Sequence, residues 1–232
     1  MSQSASFFEK QLEFPRVFAA YNEKSGVIHD LLMVNQICKD SFELFLRAFK
    51  KEKILEVWAK NQLSDRFTHL KTYEFSATTG ILGPKRRSGD LQIPEGFYEI
   101  DFFNPHSKYH LSLRINYPNK SDLVFADKSN PGDNIFIHGG KETVGCIPIG
   151  DENIKELYLL ASKAKSVGCK IQVHIFPVMM NDSNYNSIRE EYGTNSEVLL
   201  FWSWLKTAYE FFGNYQKLPS IAFENSGNCT VG

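Results

Sequence analysis

The chain has 232 residues, 42% hydrophobic and 23% charged, and its 26 basic and 27 acidic side chains leave a formal net charge of −1. That composition argues against disordered, collagen-like and coiled-coil chains, and the balanced charge against a nucleic-acid partner, which needs a basic footprint. The length suits one domain with an extension and a sizeable core, and the 14% aromatic fraction fits a β-rich interior.

No run approaches the roughly 18–20 apolar residues that cross a bilayer, so no transmembrane segment is expected. The start, Met1-Ser2-Gln3-Ser4-Ala5-Ser6, has neither the basic region nor the apolar stretch of a signal peptide. Cys38, Cys146, Cys169 and Cys229 are too few and too scattered for a disulfide scaffold, and they lack the paired spacing of a zinc site.

In chain order, residues 15–38 predict a helix, with Val17, Phe18, Tyr21, Ile28, Leu31 and Leu32 near helical spacing and Pro15 in the first turn. Ser25-Gly26 interrupts that pattern. Residues 41–46 and 54–58 read as a hairpin around the charged turn 50–53, and 67–76 as a third strand. A turn-rich loop over 79–90 precedes short strands at 97–100 and 109–116. Ile135-Phe136-Ile137 suits a buried strand ending at His138. Asp151 is the predicted N-cap of a helix carrying Ile154, Leu157, Leu160 and Ala164 and stopped by Gly168. A strand over 170–176 and an aromatic-rich helix over 197–212, stopped by Gly213, complete the chain. Helices and strands do not alternate regularly, so the expected class is α+β with a mainly antiparallel sheet system.

Chemistry concentrates between His138 and Cys146. A histidine leaves the end of an apolar strand, and a cysteine follows a Gly-containing loop. Thiol catalysis needs a thiolate, a base in reach, a group orienting that base and donors for an oxyanion. The loop can fold back to set imidazole beside sulfur, the Gly139 carbonyl can orient the ring, and the N–H groups of Gly145 and Cys146 can converge on an oxyanion. The pair fits equally well a small buried thiol and a strand-end histidine held by the sheet. Thiolate, imidazole and backbone donors suffice for acyl transfer, so no metal and no organic cofactor is expected.

This stretch resembles the signature of the L,D-transpeptidase catalytic domain (YkuD-like) family, closest to its YafK-like branch. The likeness extends through Gly83-Pro84-Lys85-Arg86-Arg87-Ser88-Gly89-Asp90, Ile93-Pro94-Glu95-Gly96-Phe97-Tyr98, Ser107-Lys108-Tyr109-His110-Leu111-Ser112 and Asn116-Tyr117-Pro118-Asn119. It covers about residues 42–176. The resemblance implies a β-sandwich-like catalytic domain acting on peptidoglycan stem peptides through an acyl-enzyme, resolved by an amine or by water. It makes Cys146 the nucleophile, His138 the base, Gly139 the orienting carbonyl, and Gly145 with Cys146 the oxyanion donors, with Thr143 at the family's Ser/Thr position. Val144 stands where the larger family has a histidine, Pro148 where many members have an arginine, and the loop is short. The YafK-like branch is linked to cleavage of a protein–peptidoglycan amide, which adds a peptidoglycan-linked protein as a possible partner and implies a periplasmic or cell-envelope location.

The expected organisation is therefore an N-terminal helical extension (1–40), a catalytic domain (41–180) and a C-terminal helical segment packed on it (181–232). Expected substrate contacts are Arg87, Tyr109, Arg114, Asn116 and Thr143. Arg87, with Lys85 and Arg86, can grip a carboxylate or form a solvated charge run. Arg114 and Asn116 share a strand face, and Tyr109 can wall the cleft or join the core. His110 is expected on the opposite strand face, His174 as a satisfied sheet histidine, and Trp202 and Trp204 as packing anchors. The competing function is a catalytically silent peptidoglycan-binding module of the same fold.

Overall fold

A capping box between Ser6 and Glu9 starts the first helix, α1 (Phe7–Leu12), an element too short to announce itself by hydrophobic spacing. The computed structural model describes residues 5–232, so residues 1–4 of the start discussed above lie outside it. Helix α2 (Pro15–Val34) has Pro15 in its first turn and runs unbroken through Ser25-Gly26. A mid-helix glycine costs only about 1 kcal/mol against alanine. Burial of Val17, Ala20, Ile28 and Leu32 in the main core outweighs it.

Strands β1 (Phe42–Phe49), β2 (Ile54–Asn61) and β3 (Thr68–Glu74) form the expected antiparallel run. Strand β4 (Gly96–Asn104) is longer than its alternating stretch, whereas β5 (Ser112–Ile115) is shorter than predicted because residues 109–111 form a turn. The short helix α3 (Lys120–Phe125), capped by Asn119, was not foreseen. Strands β6 (Ile135–His138) and β7 (Ile147–Pro148) flank the motif loop. Helix α4 (Asp151–Ser166) is capped by Gly150, not Asp151, whose carboxylate is turned to a loop amide. Strand β8 (Gln172–Phe176) follows, then α5 (Asp182–Glu191), again not foreseen. Helix α6 (Ser196–Tyr215) passes through Gly213 and stops at Gln216 in the left-handed region. A terminal hairpin, β9 (Ile221–Phe223) with β10 (Cys229–Val231), closes the chain.

The main sheet has the order β3-β2-β1-β8-β4-β5-β6-β7, and only β1–β8 and β6–β7 pair in parallel. The class is α+β, and the pairing is mainly antiparallel, as expected. The expected sandwich is instead one curled mixed sheet of eight strands, a half-barrel, and it bends at β4. Residues 96–99 pair with β8, and beyond a register shift between Ile100 and Phe102 the strand pairs with β5. A strand that changes partners at a bulge turns a sheet's corner.

Strand β1 is buried on both faces. Leu44, Leu46 and Ala48 join the core shared with α2 and α4, while Phe45 and Phe49 face the clusters of Phe212 and Trp202 on α6. Lys50, in the expected charged turn, is buried, with Nζ 2.9 Å from the Glu95 carboxylate. Glu95 also accepts from Trp202 Nε1 (2.7 Å) and from the Gly83 N–H (2.7 Å). These bonds lock the turn-rich loop to α6, so Trp202 is the expected packing anchor with an added polar tie. All four cysteines are free. Among the described residues no helix is long and apolar enough to cross a membrane.

Candidate active site

His138 ends β6, and Cys146 immediately precedes β7. The parallel register sets Ile137 against Ile147 and His138 against Pro148. The thiol therefore lies beside Phe136, whose N–H donates to Sγ at 3.4 Å, two residues from His138 along the adjoining strand. The loop thus returns Cys146 to the strand that ends at His138.

The imidazole is held on two sides. Its Nδ1 lies 2.5 Å from the Gly139 carbonyl, and the Tyr109 ring stacks on it at 4.6 Å and 28°. A carbonyl can only accept, so Nδ1 carries the proton and Nε2 is left as the basic nitrogen. Burial lowers the His138 pKa, and the Gly139 bond offsets part of that effect. Burial likewise pushes the Cys146 thiol up, opposed by the Phe136 N–H and the positive charge of Lys85. Both shifts favour a neutral thiol and a neutral imidazole at rest.

The loop between them is fixed by local bonds. The Thr143 hydroxyl donates to the Cys146 carbonyl (2.8 Å) and accepts from the Gly145 N–H (3.1 Å). The Gly145 amide, expected as a ready oxyanion donor, is therefore engaged inside its own turn. Gly145 has φ +131°, and a Cβ there would sit 2.7 Å from the Gln92 carbonyl, so only glycine fits. Gly139 is excluded from larger residues by approach alone, a Cβ meeting Asp151 Oδ1 at 2.5 Å and the Tyr109 carbonyl at 2.7 Å. Two residues missed from sequence hold the loop's other end: the Gly140 N–H donates to Asp151 Oδ1 (2.7 Å), and the Ser76 hydroxyl donates to the Gly140 carbonyl (2.6 Å). Asp151 carried a signal, a carboxylate at a helix start just after the motif. Ser76 carried none.

The fold thus gathers Cys146, His138, Gly139, Gly145, Thr143 and Tyr109, with Tyr109 in a turn and not on a strand. It uses the other expected contacts differently. Arg114 lies opposite Phe136 in the β5–β6 register, but its guanidinium grips both carboxylate oxygens of Asp101 (2.8 and 3.2 Å) and Asn134 (3.1 Å). Asn116 accepts the Glu99 N–H (2.9 Å) and supports the corner of β4. Neither is presented to the thiol, because β4 leaves polar groups beside them that need partners. The basic run 85–87 is not one solvated face. Lys85 is buried and paired with Asp90 (2.5 Å), Arg86 reaches Glu197 (3.4 Å), and Arg87 is exposed. His110 adopts φ +68° in the turn and leaves a buried Nε2 without a partner. His174 is less satisfied than expected, since its buried Nδ1 also has no partner.

The L,D-transpeptidase catalytic domain (YkuD) matches residues 45–175. YafK of Escherichia coli (strain K12) is 30% identical over 185 residues, covering 78% of this chain and 71% of YafK. Among solved structures, the helical cell shape determining protein Pgp2 from Campylobacter jejuni is 20% identical, with a TM-score of 0.47 over 80% of this chain and 74% of that one. Bd1075 of Bdellovibrio bacteriovorus is 16% identical, with a TM-score of 0.43 over 79% and 77%. By the extent of the domain match and the identity to YafK, the chain belongs to the L,D-transpeptidase catalytic-domain family of peptidoglycan metabolism.

Proposed function

We propose that the chain is a cysteine acyl-transfer enzyme of the cell envelope that opens a peptidoglycan stem-peptide amide through Cys146, with His138 as base. The observation that carries this reading is the His138 Nδ1–Gly139 carbonyl bond, which leaves Nε2 as the nitrogen able to accept a proton, on the strand whose Phe136 N–H binds the Cys146 sulfur. In the first step the Sγ proton passes to Nε2 as sulfur attacks the amide carbonyl, and the Cys146 N–H stabilises the resulting oxyanion. The Gly145 N–H joins it once released from Thr143. Collapse expels the amine, which takes its proton from the imidazolium, and leaves a thioester. Water or a stem-peptide amine, deprotonated by the imidazole, then displaces sulfur.

The short loop 139–144 offers little cover to the thioester, so hydrolysis of a stem-peptide or protein–peptidoglycan amide is at least as favoured as crosslinking. The test is incubation with defined muropeptides and rising concentrations of a stem-peptide amine, followed by mass spectrometry. Shortened stems or a freed amine are expected from the native chain. Cys146→Ala should be inactive, and His138→Ala should acylate on the order of 10²–10⁴-fold more slowly. Crosslinked dimers dominating at low amine would make the enzyme a transpeptidase. Activity retained in Cys146→Ala would overturn the mechanism, and an inert thiol with intact muropeptide binding would favour the silent binding module.

A further inference from the structure

We propose that Arg16, on the N-terminal helix α2, is a positioning residue for the His138 imidazole, acting through the turn that carries Tyr109. The inference rests on the reading of His138 as the base.

Arg16 reaches about ninety residues along the chain. Its Nη1 donates to the Ser107 carbonyl at 2.7 Å and also to the carbonyl of His110. These two carbonyls bracket Lys108 and Tyr109, so the bonds pinch the turn from outside. Phe14, the residue before α2, adds an edge-on contact with the His106 ring at 5.2 Å. Inside the turn the Tyr109 N–H donates to Ser107 Oγ (3.1 Å). The turn needs such support, because His110 occupies the left-handed region without being glycine. Guanidinium suits the task, being always charged and offering several donors in a rigid plane to neighbouring acceptors.

What the turn delivers is the face of Tyr109 against His138, with the Tyr109 carbonyl close to Gly139, whose own carbonyl orients the imidazole. A looser turn would admit water over the ring and let it tilt from the Gly139 carbonyl. Helix α2 has a second set of ties, Lys24 to Glu152 (2.8 Å) and Glu156 (3.4 Å), which hold the body of α4 and do not touch the turn. Those ties provide a control on the same helix.

The experiment compares the native chain, Arg16→Ala, Arg16→Lys and Lys24→Ala. Each is read by the NMR titration midpoint of the His138 ring and by the pH profile of Cys146 alkylation with iodoacetamide. In Arg16→Ala the midpoint should rise toward 6.5 as the ring is rehydrated, and the alkylation profile should shift with it. Arg16→Lys should restore much of the native value, and Lys24→Ala should leave the midpoint in place even if it lowers thermal stability. A native midpoint in Arg16→Ala, or equal rises in Arg16→Ala and Lys24→Ala, would overturn the inference. A midpoint that moves in Arg16→Ala while the pH profile of Cys146 alkylation stays native would uphold the positioning role and defeat the base assignment.

Discussion

Two histidines lie buried in this fold, and burial draws both away from the charged form with different consequences. His138 keeps one hydrogen-bonded nitrogen and faces the cleft loop. His174 sits among the rings of Phe45, Phe97 and Phe176 beside Arg47, and its pKa falls to about 3. An unfolded chain binds that proton near pH 6.5, so below this pH the unfolded state binds more protons than the native one. Stability from His174 is therefore complete above pH 6.5 and lost progressively as the pH falls toward 3. Asp122 works in the opposite sense, since burial raises its pKa to about 6, but its shift is smaller. Urea midpoints for the native chain should therefore fall between pH 6.5 and 4, and His174→Leu should flatten that decline. An equally steep decline in the variant would place the acid sensitivity elsewhere. The strand position of this histidine is legible in the sequence but its unpartnered Nδ1 is not, because the rings that surround it come from residues far apart along the chain.

At the scale of elements, the segment that decides the chemistry is the loop from Gly139 to Gly145. At its cysteine end its shape depends on Gly145 and on the Thr143 hydroxyl, which ties two backbone groups. Gly145→Ala would set a methyl group against the Gln92 carbonyl and force a left-handed backbone on alanine. The expected result is a loss of acylation rate on the order of 10²–10³-fold, as when one oxyanion donor is removed, with the fold retained by circular dichroism. An unchanged rate would mean that this turn does not shape the reacting centre. The loop was legible from sequence because its glycines, histidine and cysteine fall between two strong signals, an apolar strand and an amphipathic helix. Helices α1, α3 and α5 and the β9–β10 hairpin were not. They are short, their apolar residues are few, and tertiary contacts and caps set their ends. Helix α6 overran Gly213 for a related reason: buried Phe212 lies on the same turn and holds the helix together past the usual stop signal.

Across the whole molecule, the Lys50–Glu95 pair joins the β1–β2 turn, the 79–90 loop and α6 through one fully buried carboxylate. Residues 93–98 carry part of the family resemblance and Lys50 belongs to a charged turn, yet nothing in the sequence connects them to each other or to Trp202. The connection exists only after α6 has docked. Glu95→Gln leaves the Lys50 ammonium without a counter-charge in a site that excludes water, at a cost of about 3–5 kcal/mol. The measurement is chemical unfolding. A loss under 1 kcal/mol would mean that the lysine finds another partner or surrenders its proton, the direction in which burial already drives it. Trp202→Phe should cost less, since it removes a single neutral donor from the carboxylate.

The corner at β4 also bears on how the molecule breathes. Beyond Ile100 the sheet continues through the four residues of β5, the four of β6 and the two of β7, and the last of these begins directly after the nucleophile. Such a tapering flank has few cross-strand bonds to lose, whereas β1 and β8 are packed by helices and paired on both sides. Amide hydrogens of β6 and β7 should therefore exchange with solvent through local opening well before those of β1 and β8, which should wait for global unfolding. Cys146 would then sit on the part of the sheet that parts first, where a substrate backbone could enter while the rest of the scaffold stays closed.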